Sequence, residues 1–254
     1  MAPSATAAPA AELSHLPKAD GSAIFSHGGY SVTASVNGPL EAGRRDENPF
    51  QAVVDVNVRP AAGVGGTAER QLEAILQPAL GHVIPLRNFP RCVIQVTLQI
   101  TEMPENAYVN AKITQAQLNL ALLPALLHAS MLGLLTAAIS LKTVASAVTL
   151  AVLHDSGGPA VKADPSPADI ARAGSVHVLG FAAGSDLLLA ESEGAFTVDE
   201  WDRVLREGER ICCQTQDAGG GGGGMDLDAE GGQSVKGFMR SVMQSESARG
   251  WSWK

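Results

Sequence analysis

Residues Asp20 to Pro39 read DGSAIFSHGGYSVTASVNGP. Two runs of alternating apolar and polar residues, SAIFS and YSVTASV, flank His27-Gly28-Gly29. Successive side chains on a strand point to opposite faces, so each run can bury one side and wet the other. Gly28 and Gly29 supply the positive φ that a two-residue hairpin turn demands. The stretch therefore predicts an antiparallel hairpin near the N-terminus, and the fold grows outward from it.

A polar loop, GPLEAGRRDENP, follows at Gly38 to Pro49, and QAVVDVNV (Gln51 to Val58) alternates as a strand. Thr67 to Leu80 predicts a helix, because Leu72, Ile75, Leu76, Ala79 and Leu80 recur at three- and four-residue spacing; Pro78 is placed to kink it. CVIQVTLQIT (Cys92 to Thr101) is a further strand. Between Ile113 and Leu141 there is no Lys, Arg, Asp or Glu. That length could cross a bilayer, but six polar or helix-bending residues from Gln115 to Ser130 interrupt it. A buried core helix starting at Thr114 is the expectation. Thr143 to Leu153 is rich in Val and Thr and reads as a strand, with a turn at His154 to Gly158 and a short helix ending at Arg172. Ser175 to Phe181 and Leu187 to Glu191 form a second hairpin about Gly184-Ser185-Asp186. Thr197 and Glu200 make a capping box for a helix to about Gln214, and Gly219 to Gly224 is an unbroken glycine run.

These elements divide the chain into a flexible arm (1–12), one folded domain (13–215), a Gly-rich linker (216–224) and a tail (225–254) expected to be disordered. VKGFMRSVMQ (Val235 to Gln244) is the tail's one amphipathic piece. The 254 residues are 45% apolar but only 4% aromatic, so the core rests on Ala, Val, Leu and Ile. A net charge of −8 argues against a free-standing nucleic-acid binder, and with it against a small homodimeric RNA-binding module. Cys92, Cys212 and Cys213 offer no disulfide framework, which fits a reducing compartment. The N-terminus has no signal-peptide pattern. The six histidines show no metal-binding spacing, and Gly63 to Thr67 lacks the Lys of a phosphate-binding loop. His128, on an apolar helix, reads as a hydrogen-bonded core residue, and Arg59 and Arg91 as structural residues at strand ends.

Taken in order, DGSAIFSHGGYSVTASVNGPLE, the RRDE loop, VNVRPAAG, AERQLEAILQPAL, NFPRCVIQVTLQI, TAAISLKTVASAVTLAVL and LLLAESEGAFTVDEWDRVL resemble the RNase PH-like ring subunits of the eukaryotic RNA exosome. The resemblance spans nearly the whole folded part. It implies an α+β, RNase PH-like domain with mixed β-sheets packed against helices, six such domains forming a ring. It implies other RNase PH-like subunits, RNA-binding cap subunits and attached ribonucleases as partners. Single-stranded RNA would run through the shared channel, with no membrane and no cofactor, in nucleus, nucleolus and cytoplasm. The work would be RNA degradation and processing, rRNA included.

Active members of this superfamily are phosphorolytic: inorganic phosphate attacks the terminal phosphodiester. That chemistry needs a cationic cradle, since two phosphates brought together repel, and Arg suits it because its fork binds two oxygens. In active relatives the cradle is Gly-Thr-Arg at the start of the long helix. The matching place here reads Gln117-Leu118-Asn119, and no Arg lies between Ile113 and Leu141. Active relatives also carry two carboxylates six residues apart, where this chain has Asp169 and Ser175. The implied reading is a subunit with no catalytic residue and no metal site. The alternative is a phosphate-dependent 3′–5′ exoribonuclease with a rearranged site built from Asp164, Asp169 and Arg172. Arg44 and Arg45 sit in the loop that faces the channel in ring relatives, which implies RNA-backbone contact; the bland alternative has Asp46 and Glu47 neutralising them.

Overall fold

A computed structural model describes residues 8–45, 47–104, 112–155, 158–213 and 235–251. The opening hairpin is strands β2 (Gly21–His27) and β3 (Tyr30–Glu41), antiparallel with His27 opposite Tyr30. Gly28 and Gly29 turn it at φ of 61° and 86°. The alternation decides what is buried: Tyr30, Val32, Ala34 and Val36 face inward from β3, and the residues between them are half-buried. Strand β1 (Ala10–Leu13) pairs with the outer side of β2. Three residues of the expected flexible arm are therefore strand, because β2 offers them a row of unpaired backbone groups. Strands β4 (Val53–Arg59) and β5 (Cys92–Glu102) complete a five-stranded sheet in the order β1-β2-β3-β5-β4, mixed because β4 runs parallel to β5.

Helix α1 (Thr67–Val83) connects β4 to β5 and buries Leu72, Leu76, Ala79, Leu80 and Val83. Helix α2 (Lys112–Thr136) carries the uncharged run, which begins just after its first residue, Lys112. By length and composition Asn119–Thr136 could cross a membrane, yet 78% of that window is buried inside the protein. It lies between the first sheet and a second, touching β2 and β3 on one side. On the other side stand β6 (Ala145–Asp155) and β8 (Ser175–Ala182). A helix apolar all round needs apolar neighbours all round, and two sheets supply them.

The second sheet is antiparallel throughout, in the order β7-β6-β8-β9, with β7 at Gly158–Ala163 and β9 at Leu187–Gly194. Helix α3 (Pro167–Arg172) joins β7 to β8. Helix α4 (Val198–Cys213) covers the far face of β6 and β8, so every residue of β8 is buried. The Thr197–Glu200 capping box forms as read: Glu200 Oε2 accepts from the Thr197 N–H at 2.7 Å, and the Glu200 N–H donates to Thr197 Oγ1.

The tail departs from the expectation of disorder. Val235–Trp251 is helix α5, with Met239 buried and Val235, Phe238 and Met243 packed on the core; the Phe238 ring lies 6.5 Å from Phe25. The amphipathic piece docks on its own chain because these apolar residues share one helical face. The linker 216–224 and residues 225–234 lie outside the described residues.

Candidate functional site

The long helix α2 carries Gln117, Leu118 and Asn119 in its second turn, and Asn119 is half-buried. One turn further on, Pro124 lines a cavity of about 30 Å³ with His27, Tyr30, Thr149 and Asp164. A second cavity of the same size adjoins it, sharing His27, Pro124 and Asp164 and reaching His128, Ser146 and Cys212. Each space has room for about two waters, not for an RNA end together with a phosphate ion. Among the described residues no Arg lines either one, and Lys236 at the second cavity is the single Lys. Among the described residues, no three His, Cys, Asp or Glu side chains gather to hold a metal ion.

The carboxylate position resolves into two unconnected arrangements. Asp169 stands in the first turn of α3, where its Oδ2 accepts from Lys162 Nζ at 2.6 Å, from the Ser166 hydroxyl at 2.6 Å and from the Ser166 N–H at 3.0 Å. The Lys162 and Ser166 hydrogen bonds hold its carboxyl down at about 2. That carboxylate is a helix cap with a paired ammonium. Ser175 opens β8, fully buried, with Oγ 2.9 Å from His177 Nε2; His177 Nδ1 is 2.8 Å from Ser192 Oγ. No hydrogen bond joins Asp169 to Ser175. Asp164 holds a left-handed backbone (φ 46°) at the cavity mouth, and Arg172 is exposed at the end of α3.

His128 is the hydrogen-bonded core residue the sequence implied: the Ala147 N–H donates to its Nε2 at 3.0 Å. Its Nδ1 and the Tyr30 hydroxyl are buried with no hydrogen-bond partner among the described residues. Burial, with His27 nearby, lowers His128 to about 3; burial likewise lowers His177 to about 4, against the opposing pull of Glu200. Both imidazoles are neutral in the folded chain. Unfolded, they take up protons as pH falls through about 6.5. Their contribution is thus complete above pH 6.5 and shrinks as pH falls towards 4. The unfolding free energy is expected to drop by roughly 3 kcal/mol between pH 7 and pH 5, read by urea denaturation. A flat profile over that range would contradict neutral burial of the two rings.

Arg44 and Arg45 occupy an exposed turn after β3. The loop's base is pinned by Arg91, whose carbonyl accepts from the Ala42 N–H and whose N–H donates to the Asn48 carbonyl, each at 3.0 Å. The Arg91 guanidinium takes Glu47 at 3.1 Å. One of the two acids expected to neutralise Arg44 and Arg45 is therefore spent on Arg91; the other, Asp46, lies outside the described residues. Among the described residues no carboxylate lies within ion-pair distance of Arg44 or Arg45. Sequence reading missed both the Arg91–Glu47 pair and the Ser175–His177–Ser192 chain. Alternation along β8 and β9 could have flagged His177 and Ser192 as cross-strand neighbours; nothing local flags Arg91 and Glu47.

Comparison with known proteins follows the same lines. The model of the 3′ exoribonuclease family, domain 1 (RNase PH), matches residues 9–140. The chain is 33% identical over 208 residues to the exosome complex component RRP46 of Saccharomyces cerevisiae, covering 80% of this chain and 89% of that protein. It is 33% identical over 133 residues to the exosome complex component rrp46 of Schizosaccharomyces pombe, covering 52% and 53%. Among solved structures, that of rice Rrp46 superposes with a TM-score of 0.72 at 24% identity, over 93% of this chain and 94% of that one. An archaeal exosome core chain gives 0.61 at 15% identity, over 80% and 82%. Both share the fold described above, two sheets about a buried helix.

Proposed function

This chain belongs to the 3′ exoribonuclease family of RNase PH domains, and we propose that it serves as a structural subunit of an exosome core ring, without chemistry of its own. The observation that carries the ring assignment is the likeness to the yeast exosome component along 89% of that protein's length. The site supports the silent part. At the cradle position there is no guanidinium to hold phosphate. Asp169, the surviving carboxylate, caps a helix and pairs with Lys162. Ser175 is turned inward to His177. Losing a charge-assisted contact costs a few kcal/mol, and losing several at one site leaves little activity.

The chain's work is then to supply surface. It completes the ring with other RNase PH-like subunits and carries cap subunits and attached ribonucleases. Arg44 and Arg45 touch the backbone of single-stranded RNA in the channel. Nucleus, nucleolus and cytoplasm are the compartments in which such a ring would act. Phosphate-dependent release of nucleoside diphosphates from single-stranded RNA tests the silent part. The expected release equals that of a phosphate-free control. Release that needs phosphate and disappears in Asp169→Asn would establish the rearranged-site reading instead.

A further inference from the structure

The two sheets have four edge strands, and three are blunted. Strand β1 is four residues long. On β4, the Val58 N–H donates to Glu73 Oε1 at 2.8 Å, and the Val54 carbonyl accepts from Gln77 Nε2 at 2.9 Å. Strand β7 carries Pro159, which has no N–H to offer, and Lys162. Short length, Pro, Lys and covering side chains are among the ways native proteins close edges. Strand β9 has no Pro, no Lys and, among the described residues, no side chain bonded across its edge; its bulge at Leu188 lies at one end, and its charges, Glu191 and Glu193, are both negative. Its eight residues, LLLAESEG, pair on one side with β8, and among the described residues no hydrogen bond reaches the other side.

Both flanks of that open edge are hollowed. On one, Leu188 and Glu191 face Ile75, Pro78 and His82 of α1 across a groove of about 360 Å³. Beyond the strand's end, Ser192, Phe196, Val198 and Trp201 line a hollow of about 230 Å³; Phe196 is 42% and Val198 77% exposed. An added strand would place alternate side chains into such hollows while its backbone completes the ladder.

The charge is one-sided. From Ala173 to Trp201 there is no Lys or Arg, while Asp186, Glu191, Glu193, Asp199 and Glu200 fall in that stretch. A second copy of β9 would bring the same carboxylates against these, and RNA would bring phosphates. Like charges across a strand pair are destabilising. We infer that the open edge of β9 takes an extended segment of another protein, alternating basic and apolar residues, as an added strand. The inference rests on this edge alone and not on the ring assignment.

Amide hydrogen exchange of the full chain, read by mass spectrometry, tests it with three peptides of β9's length: Lys-Val alternating, Lys-Pro alternating and Glu-Val alternating. The Lys-Val peptide is expected to slow exchange in β9 about tenfold. The Lys-Pro peptide has the same charge but cannot pair, and should leave β9 unchanged, as should the Glu-Val peptide. In E191K/E193K, two surface changes, the affinity for Lys-Val should fall about tenfold. Equal protection by Lys-Pro, or protection by Lys-Val outside β9 only, would overturn the inference. So would β9 protection that rises with the chain's own concentration, or with oligouridine, since the occupant would then be a second copy or RNA.

Discussion

Gly21→Ala is expected to lower the unfolding free energy by about 3 kcal/mol, the upper part of the usual range for overpacking. Gly21 begins β2 where that strand crosses the last turn of α2. A Cβ built there would fall 2.6 Å from the Ala137 Cβ and still nearer the Ala137 amide nitrogen and the Gly133 carbonyl. Those two backbone groups are bonded to each other at 3.0 Å as α2 closes, and the Thr136 hydroxyl reaches the Ser22 carbonyl at 3.3 Å. Nothing at the contact is a side-chain tip that can swing away. The strand would have to lift from the helix, and with it the face carrying Ala23 and Phe25, both fully buried. Gly43→Ala is the matched control. A Cβ at Gly43 meets nothing within 4 Å, so its unfolding free energy, read from the urea midpoint, should change by less than about 0.5 kcal/mol. Equal midpoints for the two variants would contradict the packing of β2 on α2.

In an assembled ring, R44E/R45E is expected to weaken single-stranded RNA binding by at least about tenfold while assembly stays intact. Both guanidiniums project from a turn whose base is fixed by Arg91, and Glu47 is already occupied there. Each lost phosphate contact also lowers the salt dependence, by about 0.7 in the slope of log affinity against log salt for a single strand. Two contacts lower it by about 1.4. Fluorescence anisotropy over a salt series reads both quantities. An unchanged slope with unchanged affinity would place this loop away from the RNA path.

The parts of this fold that could be read from sequence are those whose cause is local. The hairpin at Gly21 to Glu41 declares itself through alternation and two glycines, and α2 through the 29 uncharged positions from Ile113 to Leu141. Strand β7 was hidden because GPAVKA has almost no pattern; it forms because β6 offers the partners Leu150 to Asp155. Helix α5 was hidden because its apolar positions are few and follow a glycine run. Only the apolar side of Phe25 and its neighbours, which the sheets and α2 leave uncovered, gives Phe238 and Met239 something to pack on. At the site, the missing cradle was legible as missing residue types. What the remaining residues do was not. Ser175 looked like a carboxylate's replacement, but its hydroxyl serves His177, and the partner of that ring, Ser192, is fixed by sheet register. Asp169 looked like a surviving catalytic acid. The ammonium that claims it comes from Lys162, on the strand that sequence did not reveal.

The chain as a ring subunit is tested most directly by native purification from its own cells, with the recovered assembly sized and its members identified by mass spectrometry. The account predicts one copy of this chain in a stoichiometric complex with other RNase PH-like subunits and RNA-binding cap subunits. Recovery of the chain alone, or as a homo-oligomer free of those partners, would contradict it.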